Sequence, residues 1–301
     1  MGMRELICFA LLASTALGSS QIGSLADGEP CVSQLGSVII SFASAQISHS
    51  NLGGLGPDFN ASQTIRIANV GTHDGRRIDL EIANTSTYQM FGPNGNEQVF
   101  NGVTSESGGA FGRLILSTPV WDQPENISQV HLRFSFLDAG PSGRDAEAAT
   151  AFIVGRTHFS FYDFDMDRGG AVRECIGASG AAESTIGASS TLELTDTADL
   201  VPLNVSATAM VAGLDTTSYC ATSPGVGTDN PTNPSLLSEL ERSRTVVYTL
   251  ENVDHFDVAL TIQRTVKESD CCAIQYARQF LFGGYSDVLL PLCPMPPSPP
   301  P

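Results

Sequence analysis

The chain reads as an all-β protein, an antiparallel β-sandwich or jelly roll with one short helix near residues 234–242. Three observations predict this. Short apolar runs recur along the sequence, several alternating with polar residues at period two. Turn-forming residues separate these runs. No helical periodicity lies between consecutive runs, so they belong to antiparallel layers and not to βαβ units.

Strands are expected, in order, at 37–48 (SVIISFASAQIS), 63–70 (QTIRIANV), 77–89 (RIDLEIANTSTYQ), 112–120 (GRLILSTPV) and 129–138 (QVHLRFSFLD). A second set follows at 157–165 (THFSFYDFD), 190–196 (STLELTD), 202–213 (PLNVSATAMVAG), 245–253 (TVVYTLENV) and 256–266 (FDVALTIQRTV). The alternation is cleanest at 129–138. Val130, Leu132, Phe134 and Phe136 share one face, with His131, Arg133 and Ser135 opposite. His73-Asp74-Gly75 is a hairpin signal between the second and third runs. In NPSLLSELERS, Asn233 is the expected N-cap and Pro234 the first helical residue. Leu236, Leu237 and Leu240 then share a face that covers an end or edge of the sheets.

Residues 1–18 read as a secretory signal. Arg4 charges the n-region, Leu6 to Gly18 is apolar, and Ala16 and Gly18 place cleavage after Gly18, with Ala26 as the alternative. The apolar run is shorter than the roughly 20 residues that span a bilayer, and the mature chain is expected to be exported without a transmembrane segment. The loop at 221–234 leads directly into the helix, so one β-sandwich domain is expected over 31–293; two β domains divided near 180–189 are the alternative. After Cys293 the proline-rich tail, 294–301, suits a polyproline II spacer.

With Cys8 inside the signal, Cys31, Cys175, Cys220, Cys271, Cys272 and Cys293 remain. An even set suits a disulfide-bonded extracellular chain, with the pairing left open. Cys271 and Cys272 are adjacent, so in an extended chain they point to opposite faces and take different partners. No CxxC or HxxxH spacing supports zinc. Asn60, Asn84, Asn126 and Asn204 head N-glycosylation sequons. The net charge is −17 and Lys267 is the only lysine, which argues against nucleic acid and anionic membranes and favours cations or cationic partners.

The stretch FYDFDMDRGGAVREC (161–175) carries the clearest candidate chemistry. Asp163, Asp165, Asp167 and Glu174 fall on positions 1, 3, 5 and 12 of an EF-hand loop, but Arg168 stands where that loop needs glycine, and the flanks are strand-like. Two readings stay open. In one, the strand curls after Asp165 and these four carboxylates hold a structural Ca²⁺. In the other, Tyr162, Phe164 and Met166 face the core, and the aspartates are solvated or paired with Arg168 and Arg173. Asp229 and Asn230 are further oxygen donors.

Little else points to catalysis. The five histidines are scattered without ligand spacing, and neither a GxSxG elbow nor a phosphate-binding glycine loop occurs. Trp121 is the single tryptophan; Tyr88, Tyr162 and Tyr285 are the other candidates for sugar stacking. Three functions are consistent with these features. The first is a secreted non-enzymatic module of a cell surface, wall or extracellular matrix, stabilised by calcium. The second is a calcium-dependent, lectin-like module, and the third a jelly-roll glycan hydrolase or lyase.

Five blocks, NVGTHDGRRIDLEI (69–82), VHLRFSFLDAG (130–140), FSFYDFDMD (159–167), GVGTDNPTNPSLLSELERSRTV (225–246) and ARQFLFGGYS (277–286), add a family likeness. In this order they resemble blocks of a secreted β-sandwich module in large surface proteins of marine bacteria and microalgae. The resemblance implies a single extracellular β-rich module working on surfaces; matrix or wall components are the partners expected of the first function, and glycans those of the lectin-like alternative. The resemblance brings no activity and no catalytic residues.

Overall fold

The computed structural model describes residues 22–24, 30–32, 38–89, 101–106, 109–118, 127–140, 149–196, 217–225, 229–264 and 277–284. Two compact units divide the chain, one of Met1–Gln34 with Leu290–Pro301 and one of Leu35–Leu289. In the first, β1 (Ile22–Ser24) and β2 (Pro30–Val32) form an antiparallel pair. The expected signal peptide and proline-rich tail lie outside the described residues.

The second unit contains β3 (Gln46–Ser50), β4 (Thr64–His73), β5 (Arg76–Asn84), β6 (Gly102–Glu106), β7 (Gly109–Ser117) and β8 (Ile127–Asp138). It continues with β9 (Thr150–Ala151), β10 (Val154–Tyr162), β11 (Val172–Ser179), β12 (Glu183–Ile186), β13 (Leu192–Asp196) and β14 (Thr217–Ala221). Helix α1 (Glu239–Ser243) precedes β15 (Val246–Val253), β16 (His255–Arg264) and β17 (Ala277–Gly283). One six-stranded sheet runs β12-β15-β10-β17-β7-β6. The second, nine-stranded, runs β13-β14-β11-β16-β8-β5-β4-β3, with β9 paired to β8. Strands from either side of residues 180–189 occur in both sheets. The expected all-β sandwich with one short helix is thus the observed fold.

The sheets meet over one core. Val130, Leu132, Phe134 and Phe136 of β8 are buried in it, while Arg133 is exposed and His131 half-buried, as the period-two pattern requires. Across the interface Phe134 touches Phe159 and Phe161 of β10 and Phe282 of β17, edge to face, and it stacks on Phe256 of β16. The hairpin signal is also realised. Asp74 (φ 49°) and Gly75 (φ 73°) both take the left-handed conformations of a two-residue turn between β4 and β5.

Two expected elements differ, the first strand and the helix. The run at 37–48 is not one strand: a turn at Phe42–Ala45, closed by Ala45 N–H to Phe42 O, interrupts it, and pairing resumes only at Gln46. The strand expected at 202–213 lies outside the described residues. The helix begins at Glu239 and is capped by Ser238, not by Asn233. Ser238 Oγ accepts from Glu241 N–H, and the Glu241 carboxylate accepts from Ser238 N–H, a reciprocal capping box. The Asn233 side chain accepts from Ser235 N–H instead and holds a preceding turn. Of the expected apolar face only Leu237 is buried; Leu236 and Leu240 are exposed. No described helix is long and apolar enough to cross a membrane.

Candidate metal centre

The acidic stretch is where the chain leaves one sheet for the other. β10 ends at Tyr162 because Asp163 adopts φ 65°, a left-handed conformation that aspartate tolerates better than most residues. The segment then crosses to β11 of the facing sheet. Phe164 enters the main core, while Tyr162 joins Phe111, Leu237 and Leu281 in a smaller buried cluster.

Asp167 closes the crossing loop on itself. Its Oδ1 accepts from the backbone N–H groups of Ala171 (2.5 Å) and Val172 (3.0 Å), and its own N–H donates to Val172 O. Such an arrangement is the ordinary use of aspartate in a turn, and Asp167 is not among the clustered carboxylates. Arg168 is exposed, and Arg173 pairs with Glu193 and Gln263. Neither compensates the aspartates.

Two other arginines do. Glu174 has the parity of Ile176 and Ala178 on β11, and Arg278 that of Phe280 and Phe282 on β17, so both point inward between the sheets. Arg278 Nε donates to Glu174 Oε1, and Arg278 Nη2 donates to Asp165 Oδ1. Glu174 Oε2 accepts from Asp165 N–H at 3.3 Å. Arg244, directly after α1, donates through Nη1 to Asp229 Oδ2 and through Nη2 to Pro224 O (2.7 Å); its Nη1 lies 3.8 Å from Asp165 Oδ2. Phe164 N–H donates to Arg244 O, Met166 N–H to Ser223 O, and Gly225 N–H to Met166 O, which locks these segments together. Gly225 permits the approach, since a Cβ there would lie 1.4 Å from Asp165 Oδ2.

One carboxylate oxygen from each of Asp163, Asp165 and Asp229 converges, all three within 4.8 Å of one another. Calcium binds oxygens at about 2.3–2.6 Å, so two ligands across one ion stand about 4.6–5.2 Å apart, and the donor set fits. Asp163 Oδ1 is buried and has no hydrogen-bond partner. Four carboxylates (Asp163, Asp165, Glu174, Asp229) face two guanidiniums (Arg244, Arg278), leaving a formal charge of −2 when all are ionised. A divalent cation would cancel it, with backbone oxygens or water completing the shell.

Protons register the same excess. Burial, reinforced by Glu174, Asp165 and Asp229, pushes Asp163 up to about 8. Burial pushes Glu174 up to about 7, against the attraction of Arg278. Asp165 is raised by burial, opposed by Arg278 and Arg244. Asp163 and Glu174 hold protons more tightly in the folded state than in the unfolded chain, where they titrate near about 4, so stability is lost as pH rises through their folded values. His158, lowered to about 4 chiefly by burial, acts oppositely, but only below about 6.5 where the unfolded imidazole titrates. In chelator, stability should therefore fall by on the order of 2 kcal/mol between about pH 6.5 and 8.5. Urea unfolding at each pH checks this, and Asp163→Asn should remove most of the slope.

Cys175 and Cys220 are register partners on β11 and β14, both buried and joined by a disulfide. Cys31 lies in β2, and Cys271, Cys272 and Cys293 fall outside the described residues. Asn60 is exposed, Asn84 is half-buried, and Asn126 and Asn204 lie outside. Tyr88 and Tyr162, considered for sugar stacking, are 8% and 1% exposed. Trp121 and Tyr285 lie outside the described residues. Arg244 and Arg278, which the sequence pattern does not single out, are the partners of the acidic group. The parity of Arg278 with Phe280 and Phe282 was the available signal.

No family model matches the chain, and no curated protein matches it. Among solved structures it is similar to the glucan binding protein C of Streptococcus mutans, described as mediating sucrose-independent and sucrose-dependent adherence. The TM-score is 0.35 at 5% sequence identity, over 73% of this chain and 56% of that one.

Proposed function

We propose that the chain is a secreted, non-enzymatic module of a cell surface, wall or extracellular matrix, and that Asp163, Asp165 and Asp229 hold a calcium ion that fastens one end of its sandwich. One observation carries this reading: the acidic end is built inward. Glu174 and Asp165 are 2% and 5% exposed and are engaged by arginines that come from the opposite sheet and from the segment after α1. An ion there ties two chain segments together, the crossing loop that carries Asp163 and Asp165 and the segment that carries Asp229. The buried Cys175–Cys220 disulfide supports export, because such bonds persist in oxidising compartments. The signal-like N-terminus and the resemblance to surface modules agree with it.

The test is a thermal melt of the secreted protein in millimolar Ca²⁺ and again in excess chelator. A site held at about 100 times its Kd adds about 2.7 kcal/mol, or roughly 5–10 °C for a domain of this size. We expect a rise in that range, abolished by Asp163→Asn and by Asp229→Asn. Equal melting temperatures with and without calcium would remove the ion from this reading.

A further inference from the structure

We propose that Asn60 carries an N-linked glycan whose first sugar packs on the exposed ring of Phe59; this rests on the reading that the chain is exported, here through a eukaryotic-type secretory pathway. The two residues sit on a loop with little freedom. Asn51 is buried beneath it, donating from Nδ2 to Ala61 O (2.8 Å) and accepting at Oδ1 from Gly56 N–H (3.0 Å). Asp58 accepts at Oδ2 from Ser50 N–H (2.7 Å) and donates its own N–H to Ser50 O (3.1 Å). Ala61 N–H donates to Asp58 O (2.8 Å), so Phe59 and Asn60 are the two central residues of a reverse turn.

Both side chains leave that turn towards solvent. Phe59 is 70% exposed, yet its ring is seated: a Cβ on Gly56 would lie 2.4 Å from Phe59 Cζ, so the far edge of the ring rests on the Gly56 backbone. A single exposed apolar side chain is ordinary. What distinguishes Phe59 is its neighbour, a sequon asparagine (Asn60-Ala61-Ser62) that makes no side-chain hydrogen bond among the described residues. An N-acetylhexosamine on that nitrogen has an apolar C–H face suited to an aromatic ring and a polar rim suited to water. Because the loop is already ordered, covering the ring costs little further conformational freedom. Asn84 differs: it is half-buried at the end of β5, and its Nδ2 already donates to Ser86 O at 2.8 Å. A glycan there would compete with folding.

The modification is a group transfer. A glycan arrives on a lipid-linked diphosphate; the bond between its anomeric carbon and the diphosphate oxygen breaks as the bond to Asn60 Nδ2 forms. The electron pair of the broken bond stays on the released lipid diphosphate, the amide's one lost proton passes to that diphosphate or to solvent, and nothing is oxidised or reduced.

The experiment expresses the full chain, with its own N-terminus, in a eukaryotic secretory host. Secreted and cell-retained material are mapped by peptide mass spectrometry before and after peptide:N-glycosidase treatment. We expect the secreted protein to carry glycan at Asn60 and to lack it at Asn84. Enzymatic removal of the glycan should lower Tm by about 2–4 °C. In Phe59→Ala, which leaves the sequon intact, the same removal should change Tm much less, a coupling of the kind a double-mutant cycle isolates. Secreted protein that is bare at Asn60 overturns this proposal and leaves export standing. A retained chain without glycan at any sequon overturns both. Glycan at Asn60 with equal Tm losses in the two proteins overturns the packing on Phe59.

Discussion

Replacing Arg278 with alanine is expected to destabilise the protein by about 3–5 kcal/mol, the usual cost of removing one partner from a buried ion pair. Among the described residues Arg278 alone hydrogen-bonds to both Glu174 and Asp165, which are 2% and 5% exposed. Without it, two buried carboxylates lose their main compensation at once. The reverse change should be far milder. Glu174, pushed up to about 7 by burial, already accepts a proton near neutral pH, so Glu174→Gln replaces a group whose neutral form costs the fold little. That substitution is expected to cost about 1 kcal/mol, the scale of one net hydrogen bond. Urea unfolding of both variants in chelator, at constant m, reads the asymmetry. Equal losses would mean that the arginine holds no excess of buried negative charge, and the charge argument for a divalent cation would fall with it.

How much of this could be read beforehand follows from how far each feature depends on distant chain. Strand β8 was legible because its alternation is local: four inward apolar residues, with histidine, arginine and serine between them. The His73-Asp74-Gly75 turn was legible for the same reason. The helix start was misplaced because two capping signals lie five residues apart. Ser238 prevails since Glu241 can return its hydrogen bond, whereas the Asn233 oxygen is taken by Ser235. Strands β11 and β17 were not read as strands at all. Each carries a charge at an inward position, Glu174 and Arg278, which breaks the apolar pattern, and each charge makes sense only opposite the other, 104 residues away. The acidic stretch itself was visible. Its spacing suggested four ligands in line, but the left-handed turn at Asp163 and the self-contained loop of Asp167 leave two of them, and the third carboxylate, Asp229, comes from a different segment.

Phe134→Ala should be as costly as the loss of Arg278, about 3–5 kcal/mol, the range for truncating a buried phenylalanine. Phe134 has no exposed surface and lies at the centre of the aromatic group that joins the sheets. Its ring is 5.1 Å from Phe256 in its own sheet, and 5.5, 5.8 and 5.5 Å from Phe159, Phe161 and Phe282 in the other. Truncation removes the transfer energy of the ring and leaves a cavity that the four packed strands β8, β10, β16 and β17 cannot easily close, because four neighbouring rings already support one another. Each edge-to-face contact adds about 0.5–1.5 kcal/mol beyond burial, so Phe134→Leu, which keeps most of the residue volume but loses the quadrupole, should fall between wild type and alanine. The same variant separates core from acidic end. The proposed calcium site lies at the crossing from β10 to β11, so the Tm rise expected of it should persist in Phe134→Ala, added to a lower baseline as independent sites require. A calcium response that vanished along with the ring would show that the ion reports on sheet packing as a whole and does not act through the three aspartates.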